Sequence, residues 1–456
     1  MKVLVLYAME TASDRKKVLI ISYYWPPCGG IGVLRNLKFV KYLREFGWEP
    51  VVYTVKNPSY PFLDYNNEKE IPEGIEIIKG KIWEPLQLFK KISGRKKTDP
   101  LQNITATTSS KKSWIDNFGI WVRGNFFIPD ARASWIKPSV KLLSEYLKTH
   151  PVDAILTDGP PHTNTVIGMH LSQKFNIPWL ADFQDPWTQV DYYKLMNIGK
   201  SADKKHKSLE QEAFKTAKKI TIASPSWKRD LESIGAKNVD VIYYGYDESD
   251  FKDFQKKRTN YFKIFHAGLL GNDRNLSCFF EVIREILEER PELKEIIRID
   301  FAGEVDYTNK AAVKANHLDE ITTFHGMIPR KEVISHYETS SLLLLPVNQA
   351  ENAQGRIPGK LFECMRTDTP ILVFGPENGD VKQIIESKKL GISVEYQAEK
   401  KQQKHYILSL IDKHLKNIPL LESRDISEFS NFELTKKLAG YLDELTTEQV
   451  ANNILH

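Results

Sequence analysis

Short, continuous apolar runs recur along the chain, each followed by a polar or glycine-rich turn and then by a stretch whose apolar residues repeat at helical spacing. Lys17–Tyr23 (KVLIISY) has the composition of a strand buried on both faces of a parallel sheet. A Pro/Gly turn, Trp25–Gly32, leads to a helix carrying Leu34, Leu37, Val40, Leu43 and Phe46; Gly47 stops it and Pro50–Val55 is the next strand. The same grammar predicts strands at Ile75–Lys79, Ala154–Thr157, Trp179–Asp182, Lys219–Ser224 and Val239–Tyr244, with helices from about Asn164 and over Lys204–Lys218. It restarts near Phe262, with strands Lys263–Ala267, Ile297–Ala302, Ile321–His325, Leu342–Pro346, Pro370–Phe374 and Gly391–Val394. The charged stretch Asp247–Asn260 reads as the linker. The pattern predicts an α/β protein of two doubly wound, Rossmann-like domains facing across a cleft, residues 1–250 and 251–425, with ligands beyond the carboxyl ends of the strands.

Residues 84–127 break the pattern. A basic cluster (Lys90, Lys91, Arg95, Lys96, Lys97, Lys111, Lys112) precedes Trp114, Ile115, Phe118, Ile120, Trp121, Phe126 and Phe127. Two readings stand: a solvated insertion followed by a core helix, which comes first because charge runs are mostly surface, or an element touching an anionic membrane or lipid-linked acceptor.

Composition narrows the class. With 456 residues, 41% hydrophobic and 27% charged, the chain is that of a multi-domain globular protein. A net charge of +5 is too small to indicate nucleic-acid binding. Three scattered cysteines suggest neither disulfides nor a zinc site, and no run has the roughly 18 apolar residues of a membrane span. The expectation is a cytoplasmic protein, with a peripheral contact to the inner membrane face left open.

The most informative segment is Arg356–Phe374. A loop ends at Pro358-Gly359, a short helix begins near Leu361, and Lys360 and Glu363 fall in its first turn. Free N–H groups and the helix dipole favour an anion there; a lysine neutralises phosphate and a glutamate one turn on accepts from two sugar hydroxyls. Diphosphate plus ribose fits a sugar nucleotide. The glycine loop Cys28–Gly32 fails as a dinucleotide fingerprint, because Arg35 replaces the third glycine and no acidic residue ends the second strand; this argues against a nicotinamide dehydrogenase. Phosphate loop and plain tight turn both remain open for it. His162 follows Thr157-Asp-Gly-Pro-Pro, at the end of a strand, and is either a cleft residue or a structural one. Asp182 and Asp185 close another strand; capping or pairing with a base is the first reading for Asp182. No two aspartates stand two positions apart and no His/Glu cluster has metal-ligand spacing, so no metal is expected and a leaving diphosphate is left to Lys360, Arg274 and helix starts.

Together these pieces resemble the family-4 retaining glycosyltransferases of the GT-B fold, of the bacterial surface-polysaccharide branch. The matching residues are Tyr23–Pro27 with Gly29-Gly30, Ile128–Arg132 with Trp135, Asp158–His162, Asp182–Trp187, Tyr244–Asp247, His266–Gly268 with Arg274-Asn275, and Pro358–Glu363. The resemblance implies transfer of a sugar from a nucleoside diphosphate to a hydroxyl of a saccharide or lipid-linked acceptor, with retention and without a cofactor. It implies a donor held mainly by the second domain, with the acceptor on the first: Gly268, Gly326, Gly359, Leu361 and Glu363 bind the donor, joined by Gly29 and Gly30 of the first domain's loop, with His162, Lys360 and Arg274 as catalytic residues and Asp182 and Asp185 as acceptor-side or structural carboxylates. It also implies a last helix, within residues 426–456 and apolar at Phe432, Leu434, Leu438, Leu442 and Leu445, that returns to the first domain. Two departures stand out: the family's second glutamate is Gly355 here, and Arg274 is the only base near the Gly268 strand end. An epimerase or hydrolase on the same scaffold, and a non-catalytic sugar-nucleotide-binding subunit, are the alternatives.

Overall fold

The computed structural model describes residues 15–83, 114–350, 352–396 and 400–454. The basic cluster named above, between residues 84 and 113, lies outside them.

The first lobe carries β1 (Lys16–Ile21), α1 (Ile31–Tyr42), β2 (Trp48–Val55), β3 (Glu76–Gly80), α2 (Trp114–Phe126), α3 (Ile136–Leu147), β4 (Ala154–Asp158), α4 (Thr163–Phe175), β5 (Trp179–Gln184), α5 (Lys200–Thr216), β6 (Lys219–Ile222), α6 (Pro225–Ser233) and β7 (Val239–Val241). The second carries β8 (Phe262–Ala267), α7 (Ser277–Glu289), β9 (Ile297–Ala302), α8 (Tyr307–Ala315), β10 (Thr322–Gly326), α9 (Arg330–Thr339), β11 (Leu342–Pro346), α10 (Lys360–Arg366), β12 (Ile371–Phe374), α11 (Asp380–Ser387), β13 (Gly391–Val394) and α12 (Lys400–Leu415). A long helix, α13 (Asn431–Ile454), ends the described chain.

Each lobe is built on one sheet, ordered β3-β2-β1-β4-β5-β6-β7 and β10-β9-β8-β11-β12-β13. Every described strand pair is parallel, and both sheets reverse direction at their first strand, next to β4 in one and β11 in the other. Such a reversal splays the loops apart and opens a crevice at the carboxyl ends. The doubly wound α/β expectation is met in both lobes.

Helix α1 is unusual in burying polar side chains, Arg35, Asn36 and Lys38, alongside its apolar ones. A 3₁₀ turn over Leu43–Phe46 follows it, and Gly47 ends that turn at φ 77°, a conformation glycine adopts without a Cβ penalty. Leu434, Leu438, Leu442 and Leu445 of α13 join the apolar layer of Val18, Ile20, Leu37 and Val40 on one face of the first sheet. Phe432 does not: it is 41% exposed, resting on Tyr42 and Phe46. No described helix is long and apolar enough to cross a membrane.

Candidate functional site

The loops that follow β1, β4, β5, β8 and β11 converge on the junction between the lobes. On the second-lobe side, Gly268 ends β8 with φ 137°. A Cβ at this position would overlap Lys360 Nζ, so the ammonium lies directly on the Gly268 backbone. No ion pair or hydrogen bond holds Lys360 to another described residue. Burial lowers its pKa, and Arg274 adds to that while Glu363 opposes it. Arg274 reaches back to donate to the Leu269 carbonyl at 2.9 Å. The site therefore concentrates two cations, one of them without a counter-ion.

Glu363 stands one turn along α10 and pairs with Arg330 at 2.9 Å, while remaining 21% exposed. Arg330 also binds Asp250 of the linker at 2.8 Å. Leu361 differs from expectation: its side chain is fully buried and its N–H donates to Pro358 O at 2.9 Å, so neither is free for a ligand. Phe362 N–H is likewise spent, on Gly359 O at 3.2 Å. With a helix of seven residues and its early N–H groups turned inward, the positive charge at this point comes from side chains more than from the helix dipole. Gly326 ends β10 at φ 67° and its carbonyl accepts from Gly303 N–H at 2.7 Å, placing it on the same rim of the second sheet.

Gly359 faces the first lobe, where a Cβ would meet Ile31 Cγ1 at 2.5 Å. The glycine loop after β1 thus abuts the start of α10. Beyond Gly30 and Ile31 opens a cavity of about 740 Å³, lined by first-lobe residues. Gly29 and Gly30 form part of its wall; the Gly29 position is closed over by the Phe62 ring. Asp158, His162 and Asp185 line it too.

His162 is 6% exposed and lies flat on Trp187, rings 4.7 Å apart and 5° from parallel. Burial, with a smaller contribution from His206, lowers its pKa to about 3, so the imidazole is neutral at physiological pH. It keeps one N–H, can hydrogen-bond and fill space, but does not carry a second proton there. Burial raises Asp185 to about 6 despite the nearby Arg356. Asp158, also raised by burial, to about 7, accepts from Ser22 Oγ at 2.9 Å and Asn164 Nδ2 at 2.6 Å. Asp158 is a cavity carboxyl that sequence reasoning had not singled out. Its neighbour Asn36 donates to it as well, from a helix position that spacing alone marks as polar surface.

Asp182 belongs to the frame. Arg35 grips it with Nε on Oδ2 at 2.9 Å and Nη2 on Oδ1 at 3.0 Å, and Thr221 Oγ1 donates to Oδ1 at 2.8 Å. Arg35 Nη1 also reaches the carbonyls of Ile242, at 2.7 Å, and Tyr243. The arginine that spoils the dinucleotide fingerprint is thus the clamp joining α1, β5 and the segment after β7. Gly355 has an equally local cause: a Cβ there would run into the indole of Trp227.

Among the described residues, tertiary structure does assemble one group with metal-ligand chemistry, Asp300, His325 and His336, their ligand atoms within 4.8 Å of one another. Lys263 Nζ sits among them, 3.0 Å from Asp300 and 2.8 Å from His336 Nδ1, and supplies the positive charge that the carboxylate calls for.

No model of a known protein family matches the chain, and no curated protein matches it in sequence. Solved structures do. A sucrose-phosphate synthase from Thermosynechococcus elongatus is 12% identical, with 97% of this chain and 99% of that one covered and a TM-score of 0.53. A lipopolysaccharide outer core galactosyltransferase is 12% identical over 93% and 99%, TM-score 0.54. A putative UDP-N-acetylglucosamine 2-epimerase from Listeria monocytogenes is 12% identical over 95% and 97%, TM-score 0.53. At this identity the likeness is one of fold: the chain has the two-lobed GT-B architecture that glycosyltransferases and an epimerase share.

Proposed function

We propose that this chain is a metal-independent glycosyltransferase that moves a sugar from a nucleoside diphosphate to an acceptor hydroxyl with retention, as a family-4 enzyme of polysaccharide or glycolipid assembly. The observation that carries this reading is the unpaired ammonium of Lys360 on the bare backbone of Gly268, beside Arg274 and one helical turn from Glu363. That grouping offers positive charge for a diphosphate and an accessible carboxylate for ribose hydroxyls. Glu363 would exchange part of its pairing with Arg330 for those hydroxyls. The neutral imidazole of His162 would orient the transferred sugar, and Asp185, beside Arg356 at the lobe junction, would accept from an acceptor hydroxyl. The leaving diphosphate, held by Lys360 and Arg274, would be the base that takes the acceptor proton.

The first-lobe cavity favours transfer over epimerisation or hydrolysis, since it leaves about 740 Å³ opposite the charged rim for a second substrate. Product analysis with donor alone separates the two: conversion of the sugar nucleotide without acceptor identifies the epimerase or hydrolase. The direct test of the site is calorimetric titration of uridine and guanosine diphosphates and their sugars into the chain and its variants. Lys360→Ala and Glu363→Ala are each expected to weaken donor binding by roughly 1.5–3 kcal/mol, about 10- to 150-fold. Wild-type donor affinity in both variants would refute the assignment. Chelator treatment is expected to leave turnover unchanged.

A further inference from the structure

One corner of the second lobe brings titratable side chains from four elements to a single point. Strand β10 is the edge of the second sheet, and none of its five residues is buried. Helix α9 meets it through the rings of His325 and His336, 4.6 Å apart, and buries only Tyr337 and Glu338 of its own residues. Lys263 of β8, Asp300 of β9, His325 of β10 and His336 of α9 converge there.

Their common centre is one oxygen. Asp300 Oδ2 lies 3.0 Å from Lys263 Nζ, 3.5 Å from His325 Nε2 and 3.6 Å from His336 Nδ1. An ammonium can only donate, so His336 Nδ1, 2.8 Å from Lys263 Nζ, turns its lone pair toward the same point. His325 Nε2 is shielded from solvent and makes no hydrogen bond to any described residue. Packing fixes the rings: His336 stacks on Phe265, centroids 4.8 Å apart and planes 15° from parallel, and His325 meets His336 edge-on.

Neighbouring ligands of a tetrahedral zinc ion stand about 3.3–3.5 Å apart when each bond is about 2.0–2.1 Å long. Both separations between Asp300 and the histidines are close to that edge, and all three ligand atoms lie within 4.8 Å of one another. Two imidazoles with one carboxylate suit a borderline ion such as zinc, whereas magnesium and calcium take oxygen donors. Lys263 is the obstacle, and it has another acceptor within reach, Thr339 Oγ1 at 3.4 Å.

We propose that Asp300, His325 and His336 form a zinc site, in which the metal displaces the Lys263 ammonium and fastens α9 to the edge of the second sheet. The role is structural, stands apart from the transfer chemistry and does not depend on the transferase reading. It borders the crevice all the same: His325 precedes Gly326 on the rim, and α9 opens with Arg330, the partner of Glu363.

Calorimetric titration of zinc chloride into the full chain, with magnesium chloride in parallel, tests the site. One zinc ion per chain is expected to bind with a Kd below about 10 μM, and magnesium is expected not to bind at these residues. His325→Ala and Asp300→Asn are each expected to weaken zinc binding about tenfold or more. His325 is 25% exposed at a strand end, so its truncation opens no core and decides the matter even if Asp300→Asn does not fold. Lys263→Met keeps the stem, removes the competing charge and is expected to tighten zinc binding about tenfold. An ion triad that merely holds the fold predicts no such gain. Zinc is also expected to raise the melting temperature of the parent and to slow amide exchange in β10 and α9. Absence of zinc binding, binding that survives His325→Ala, an affinity unchanged or lowered by Lys263→Met, or exchange that slows only outside β10 and α9 would each overturn the proposal.

Discussion

At Gly268 the backbone turns through φ 137° and the space of a side chain is taken by the Lys360 ammonium. Gly303 repeats the arrangement one layer down, since a Cβ there would overlap the Gly268 carbonyl. Gly268→Ala therefore meets both backbone strain and a direct collision with the charge proposed to hold the diphosphate. The expected outcome is a loss of roughly 1–3 kcal/mol in unfolding free energy. Donor affinity is expected to fall with it, because Lys360 must swing away. Urea unfolding and nucleotide titration on one preparation check this; unchanged donor affinity would separate Lys360 from the site. Lys360 and Glu363 could be singled out from sequence because a Pro-Gly before a short helix fixes where its first turn starts. The fate of the N–H groups in that turn could not be read the same way: whether Leu361 donates to a ligand or back to Pro358 depends on how tightly the loop closes. His162 shows a similar limit. Its place after a strand is legible, but the Trp187 ring that buries it lies in another loop, and burial is what makes the imidazole neutral.

Among the elements, the inner strands were legible because both faces of a parallel sheet are buried there, so β11 and β12 are unbroken apolar runs, while the edge strands β3 and β10 mix polar and exposed residues into theirs. Helix α1 was legible only in part. Its apolar stripe shows in the spacing, but Arg35, Asn36 and Lys38 look like a solvent face while each is buried against an acid distant in sequence: Asp182, Asp158 and Asp247. The carboxyls at the ends of β4 and β5 carry a pH signature of this burial. Asp185 is raised from 3.8 to about 6, so the folded chain holds a proton that the unfolded chain has released between about pH 4 and 6. This group therefore costs stability progressively as pH rises through that window and a constant amount above it. His162 and His266, both lowered by burial to about 3, act oppositely, adding to stability as pH rises from about 3 to 6.5. A difference measurement isolates the carboxyl. Asp185→Asn is expected to gain stability relative to the parent as pH goes from 4 to 6, and to hold that gain above 6. Paired urea titrations across pH 4–7.5 check it, and a flat difference would mean that Asp185 is solvated.

For the whole molecule, the lobes share one apolar cluster, and several of the polar contacts across their junction are ones that no local pattern reveals. Asp380, at the start of α11, accepts from Ser226 N–H and Ser226 Oγ, both at 2.8 Å, and so caps a helix of the opposite lobe. Arg356 reaches Asp191 at 2.8 Å. Between these two contacts the Trp227 indole occupies the space in front of Gly355. The departure from the resembling family at Gly355 is thus a feature of the lobe junction: a side chain there and an indole at Trp227 are mutually exclusive. Gly355→Glu is expected to force Trp227 out, at a cost of roughly 1–3 kcal/mol for overpacking plus the desolvation of a carboxylate at a buried position. The consequence should reach beyond stability, because the indole, the Asp380 cap and the Arg356 pair lie on one face, and wedging that face apart moves Lys360 away from the glycine loop of the first lobe. Trp227→Ala makes room for the new carboxylate. The double variant is therefore expected to recover thermal stability over Gly355→Glu alone, with small-angle scattering reporting whether the lobes return to their original separation. Equal destabilisation of the single and double variants would show that Trp227 does not set the limit at this position, and the glycine would then need a cause other than the joint it lies in.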